Sequence, residues 1–144
     1  MADKSKELAN LVRIGKLAVE PGTAGEIKGL LTSGSEQLAD ARNEGLALSS
    51  RFYLAYNAAH AFSLAALRWH GYRSDSRYLV FQALPHTLGL PTAIWRVLVK
   101  AHEVRNVAAY EGHFNADATL LRNLIDAAEA VRAAVSALSA LPGS

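Results

Sequence analysis

The sequence predicts an all-α fold, an antiparallel up-and-down bundle of four to five helices with an added helix at the N-terminus. Apolar residues recur at helical spacing along every long segment, and no segment sustains the alternation of a strand. Alanine and leucine lead a composition that is 51% hydrophobic, which favours helix. Gly-Asn and Asp-Gly hairpin turns are missing. The 144 residues fit one domain. A chain of this size buries roughly two thirds of the surface that it exposes when unfolded.

The first helix is predicted over about Asp3 to Val19, with Leu8, Leu11, Val12 and Ile14 on its apolar side. Pro21-Gly22 should end it, because proline disfavours helix in the residue before it. Thr23 reads as the next N-cap, with Glu26 three places on completing a capping box. That helix either breaks at Ser33-Gly34-Ser35 or runs on to about Leu48. Leu38, Ala41, Gly45 and Leu48 form one stripe, with Gly45 marking a close helix approach.

Ser49-Ser50 opens a helix over about Arg51 to His70, which Gly71 stops. Alanines at 55, 58, 59, 61, 65 and 66 put small side chains on several of its faces, as a central helix requires. Asp75 or Ser76 caps a shorter helix ending before Pro85. A further helix spans Thr92 to Glu111, where Gly112 interrupts. Asn115 or Asp117 caps the last, from Ala118 to about Ala140, with Leu121, Leu124, Ile125, Ala128, Val131 and Val135 inward. Residues 141–144 read as a frayed end. One domain thus covers 1–144, with a helix and turn in 1–22 and the bundle in 35–140.

With no cysteine in the chain, disulfides, thiolate zinc sites and cysteine nucleophiles are excluded. No apolar run resembles a signal core or reaches the roughly 18 residues of a membrane span. The expected location is the cytoplasm, without membrane association. Net charge is only +2, but it is unevenly spread. From Arg51 to Arg105 there are seven basic and two acidic residues, against eight and eleven elsewhere. A basic middle on an acidic frame can guide a phosphate-bearing partner, or can be simply a solvated face.

All five histidines, 60, 70, 86, 102 and 113, lie in or just beyond that middle stretch. A zinc helix needs histidines four apart, but Asn106 stands four residues after His102. No metal site and no cofactor are therefore expected. On the helix from Thr92, Ile94, Val97, Leu98, Ala101, Val104 and Ala108 cover one side. His102, Asn106, Tyr110 and His113 fall about 130° around from it, with Arg105 nearer the apolar boundary. His113 joins them only if the helix survives Gly112.

This set suits a phosphodiester. Arginine can hold a phosphate bidentately and stabilise the added charge of its transition state. Asparagine can orient an oxygen, and a histidine near neutral pKa can move protons. The 2′-hydroxyl of RNA supplies a nucleophile without a metal. Tyr53, Tyr56, Asn57 and His60 share much of a face on the central helix, as the facing wall of a cleft or as the polar end of a bundle layer. The plainer alternative is that these groups hydrogen-bond between helices.

The block Arg51-Phe52-Tyr53-Leu54-Ala55-Tyr56-Asn57-Ala58-Ala59-His60-Ala61 resembles the alanine-rich, tyrosine-bearing second helix of HEPN domains. These are the "higher eukaryotes and prokaryotes nucleotide-binding" bundles. Arg105-Asn106-Val107-Ala108-Ala109-Tyr110-Glu111-Gly112 resembles their R-N-x-x-x-H stretch. The likeness runs from about Ser35 to Val135. It implies a two-fold homodimer whose arginine motifs meet at a shared cleft.

Many such proteins are metal-independent ribonucleases, often toxins paired with a nucleotidyltransferase antitoxin. Others bind a partner protein or a nucleotide without catalysis. Carried onto this chain, the resemblance makes Arg105 and Asn106 the matching catalytic residues. Tyr110 stands where the family has histidine, and His113 is the nearest histidine downstream. Tyrosine, with a pKa of about 10, is a weak base at neutral pH but can bind a phosphate or donate a proton.

Overall fold

A computed structural model of the chain describes residues 2–138. Their elements run α1 (Ala2–Arg13), β1 (Ala18–Val19), α2 (Ala24–Ala41), α3 (Leu48–Trp69), β2 (Tyr72–Arg73), α4 (Arg77–Gln82), α5 (Leu84–Thr87), α6 (Thr92–Glu111) and α7 (Ala118–Ser136). The fold is an all-α bundle, as the periodicity predicts. Four long helices, α2, α3, α6 and α7, carry it, and α1 is added at the N-terminal end. No helix among the described residues is long and apolar enough to cross a membrane.

The alanine-rich segment forms the centre. Alanines 55, 58, 59, 61, 65 and 66 of α3 are all buried, so α2, α4, α5, α6 and α7 can each approach it. Its large side chains, Phe52, Tyr56 and Phe62, fill the space between those neighbours and are at most 1% exposed. The inward residues expected of α7, Leu121 through Val135, are all buried. A smaller core gathers Leu8 and Leu17 from the N-terminal region with Leu67, Leu79, Val80 and Ala83. That cluster seats α1 beside the two short helices.

Side-chain caps set several boundaries where the sequence places them. The Thr23 hydroxyl accepts from the Glu26 amide, that of Ser76 from Leu79, and the Asp117 carboxylate from Leu120. Gly71 and Gly112, at φ 86° and 75°, take the left-handed conformation that ends α3 and α6. The helix from Thr92 spans its predicted residues.

Five expectations need correction. The first helix stops at Arg13 rather than Val19, because Gly15 turns the chain at φ 78°. This leaves Ile14 64% exposed and frees 18–19 to pair antiparallel with 72–73. That short ladder had no alternation to announce it. The third helix begins at Leu48, ahead of the two serines, with no side-chain cap.

The second helix neither breaks at the serines nor reaches Leu48; it ends at Ala41. The close approach belongs to Gly34, where a Cβ would lie 2.6 Å from Phe62 Cε1. Gly45 instead occupies the exposed turn after the helix. Finally, the segment after Ser76 forms two helices, with Pro85 in the first turn of α5. Proline is favoured there because its missing N–H would have no helical partner. The predicted end at 141–144 lies outside the described residues.

One buried charge ties the N-terminal end together. Arg68 on α3 is 4% exposed, and its guanidinium meets Glu26 at 2.8 Å and Glu20 at 3.0 Å. It also donates to the carbonyls of Glu20, Pro21 and Tyr72. The first residues of α2 and both strands are thereby fixed to α3. Gly22 completes the fit, since a Cβ there would sit 2.5 Å from the Arg68 carbonyl oxygen.

Candidate functional site

Helices α3, α4 and α6 converge on a cluster of polar and aromatic side chains. Tyr56, Asn57 and His60 come from α3, and His102, Arg105 and Asn106 from α6. His102, Arg105 and Asn106 share a face at i, i+3, i+4, and His60 stands four residues after Tyr56 and three after Asn57, next to both on the helix surface. Tyr56 is 1% exposed, and its hydroxyl lies 2.9 Å from His102 Nδ1. The Asn106 amide nitrogen donates to His102 Nε2 at 3.1 Å. With Nε2 accepting, Nδ1 carries the imidazole proton and donates to the tyrosine oxygen. This tautomer follows from the assigned orientation of the Asn106 amide.

Two guanidiniums flank the tyrosine. Arg105 Cζ lies 5.7 Å from the Tyr56 ring centroid, and Arg77 Cζ, from the first turn of α4, lies 5.6 Å from it. Arg77 also donates to Asn57 Oδ1 at 3.3 Å. Neither arginine forms an ion pair among the described residues. Phe81 stands behind, its ring edge-on to Tyr56, His60 and His102 at 5.8, 5.9 and 6.4 Å. Tyr78 leans on the His102 ring from the solvent side, at 6.1 Å.

These surroundings set the protonation states. Burial lowers the His60 pKa to about 4, and the charges of Arg77, His102 and Arg105 push the same way. His102 is lowered as well, first by burial and then by Arg105 and Arg77, with Glu103 opposing. Both imidazoles are therefore neutral at pH 7. Burial raises Tyr56, against the pull of the two arginines, so its phenol keeps its proton. The outcome is two cations without carboxylate partners, beside a neutral imidazole and a neutral phenol.

The structure thus brings together six of the nine residues expected from sequence: Tyr56, Asn57, His60, His102, Arg105 and Asn106. It does not bring in the other three. The Tyr53 ring packs with Phe52 and Phe114 instead. Tyr110 is 87% exposed and makes no hydrogen bond among the described residues. The helix does not survive Gly112, so His113 lies in the exposed segment beyond it. Elsewhere, His70 Nε2 lies 2.7 Å from the Thr87 carbonyl oxygen. No three His, Asp or Glu side chains among the described residues are placed to hold a metal ion.

Sequence reasoning missed Arg77, Tyr78 and Phe81. The only signal for Arg77 was its place in the basic middle of the chain. Periodicity along one helix does not say which charge on a neighbouring helix crosses to meet it.

Comparison with protein-family models, with curated proteins and with solved structures gives no match.

Proposed function

We propose that this chain is a HEPN-type protein that binds RNA across Arg77 and Arg105 and cleaves it without a metal. The observation that carries this reading is the pair of guanidiniums within 6 Å of the Tyr56 ring, neither of them in an ion pair among the described residues. Two cations held within 6 Å of one ring repel each other unless an anion lies between or over them. A phosphate is such an anion, and arginine binds it through parallel N–H donors.

The chemistry then moves from the expected Tyr110 and His113 to His102. A neutral imidazole beside the bound phosphate can take the 2′-hydroxyl proton through Nε2 once Asn106 swings from that nitrogen to a phosphate oxygen. The 2′-oxygen forms its bond to phosphorus, the bond to the 5′-oxygen breaks, and water protonates the leaving oxygen. Arg77 and Arg105 stabilise the extra negative charge in the transition state.

Cleavage of RNA by purified protein in EDTA, abolished in Arg105→Ala and in Arg77→Ala with the helical signal intact, is the expected result. Equal activity of both variants and wild type would sink the reading.

The second reading is a non-catalytic homodimer that binds a partner protein or nucleotide at this face. The exposed pair Val107 and Tyr110, three residues apart on α6, favours it. Tyrosine is among the residue types that anchor interfaces. For the ribonuclease reading, by contrast, a nucleotidyltransferase antitoxin is the partner that the family resemblance proposes.

A further inference from the structure

Beyond Tyr78 a groove of about 380 Å³ opens between α4 and the turn that follows α1. Lys16, Ser74, Asp75, Tyr78 and Gln82 line it. A smaller extension of about 140 Å³ continues from Lys16, Ser74 and Asp75 to Arg73 on β2. Tyr78 is the wall that this groove shares with the cluster, since the same ring leans on His102. It is 41% exposed although large and aromatic.

Resting on the RNA reading above, we propose that this groove receives the base of a single-stranded RNA whose phosphate sits on Arg77 and Arg105. Arg77 borders the cluster at the Tyr56 ring and Tyr78 at the His102 ring, so a phosphate on the arginine brings its attached nucleoside within reach of the tyrosine. The groove is large enough for a base, being within the ordinary range of small-molecule sites. Its chemistry also suits a base better than a second phosphate. The Asp75 carboxylate would repel an anion, whereas Asp75, Ser74 and Gln82 together offer the acceptors and donors that read a base edge. The Tyr78 ring offers the stacking surface that single-stranded recognition uses.

The test is fluorescence anisotropy with a labelled short 2′-O-methyl oligoribonucleotide, which lacks the nucleophilic hydroxyl and so stays intact. A matched strand carries one abasic residue at each internal position. Tyr78→Ala should weaken binding of the intact strand about tenfold, the effect of losing one aromatic stack, and leave the abasic strand unchanged. Tyr78→Phe should restore binding, because it keeps the ring. Arg105→Ala should weaken both strands alike.

Equal losses for both strands in Tyr78→Ala, or no loss in either, would overturn the base site. Unchanged binding of both strands in Arg105→Ala and Arg77→Ala would overturn the phosphate reading instead, and the Tyr78 comparison would still decide the groove. Melting curves exclude unfolding of the variants.

Discussion

Gly34 on α2 lies against the ring of Phe62 on α3, so close that a methyl group at 34 would sit 2.6 Å from Cε1 and 3.0 Å from Cδ1. Phe62 is fully buried and has no room to retreat into a close-packed core. Gly34→Ala should therefore destabilise the protein by about 1–3 kcal/mol, the usual cost of overpacking. Gly29, in the same helix, has nothing within 4 Å of the place a methyl group would take. Gly29→Ala should accordingly stabilise by roughly 0.5–1 kcal/mol, through helix propensity alone. Chemical denaturation of the two variants checks the opposite signs, and a shift of the same sign in both would contradict the packing.

That contact illustrates what could be read from sequence and what could not. The helices were legible because each carries its own apolar repeat, and Thr23, Ser76, Asp117, Gly71 and Gly112 mark ends through bonds or dihedrals spanning only a few residues. The alanines of α3 announced a central helix for the same local reason. Gly34 and Gly45 could not be told apart, since a glycine's role depends on which ring stands opposite. The site divides in the same way. His102, Arg105 and Asn106 share a helix face, whereas Arg77 arrives from a six-residue helix whose placement depends on the turns at Gly71 and Ala83.

Arg68 makes a second stability test. Its guanidinium joins two carboxylates and three carbonyls in a site where the arginine itself is 4% exposed. Arg68→Met keeps much of the side-chain volume but leaves those acceptors without their donor. Loss of about 3 kcal/mol is expected, at the low end for a broken buried pair because Glu20 and Glu26 are partly solvated. The Glu26 carboxyl is lowered chiefly by its hydrogen bond with Arg68. Its ionised form therefore stabilises the fold above the ordinary carboxylate range, and that support is lost as pH falls through the lowered value. Acid unfolding of Arg68→Met should lack this component; an unaltered acid profile would show that the pair contributes little.

His60 adds a pH dependence in a different window. Its folded pKa is about 4 against the ordinary 6.5 of histidine, so the unfolded chain binds more protons between those values. Stability is then full above the unfolded pKa and falls as pH drops toward the folded one. At about 1.36 kcal/mol per unit the loss is at most about 3 kcal/mol. Thermal melts should show His60→Gln losing less stability than wild type between about pH 7 and about pH 4.5. Parallel curves for the two proteins would mean that His60 is not held neutral by burial.

Assembly can be tested independently of chemistry. Val107 and Tyr110 give α6 an exposed apolar pair, and a two-fold contact there would bring two Arg105 sites near one another. Light scattering should then give twice the 15.4 kDa chain mass, and Tyr110→Asp should return the protein to the monomer. A monomeric wild type at micromolar concentration would defeat the shared-cleft arrangement while leaving the Arg77–Arg105 site to be judged by cleavage.

The proton assignment is decided by a pH profile. His102 is lowered by burial and by two arginines, so it stays in its basic form below the 6.5 of an ordinary histidine. If it removes the 2′-hydroxyl proton, cleavage in EDTA should hold steady from neutral to mildly acid pH. Activity should then fall as pH drops through the lowered value, because protonated imidazole cannot act as a base. His102→Gln should abolish cleavage. Asn106→Ala should lower kcat by more than it raises KM, since the amide is assigned to orienting the phosphate rather than holding the strand. Tyr110→Phe and His113→Ala should leave the profile in place, as both side chains stand apart from the cluster. Retention of the acid limb in His102→Gln, with its loss in His113→Ala, would transfer the base to the segment after Gly112 and overturn the assignment made from the Tyr56–His102–Asn106 geometry.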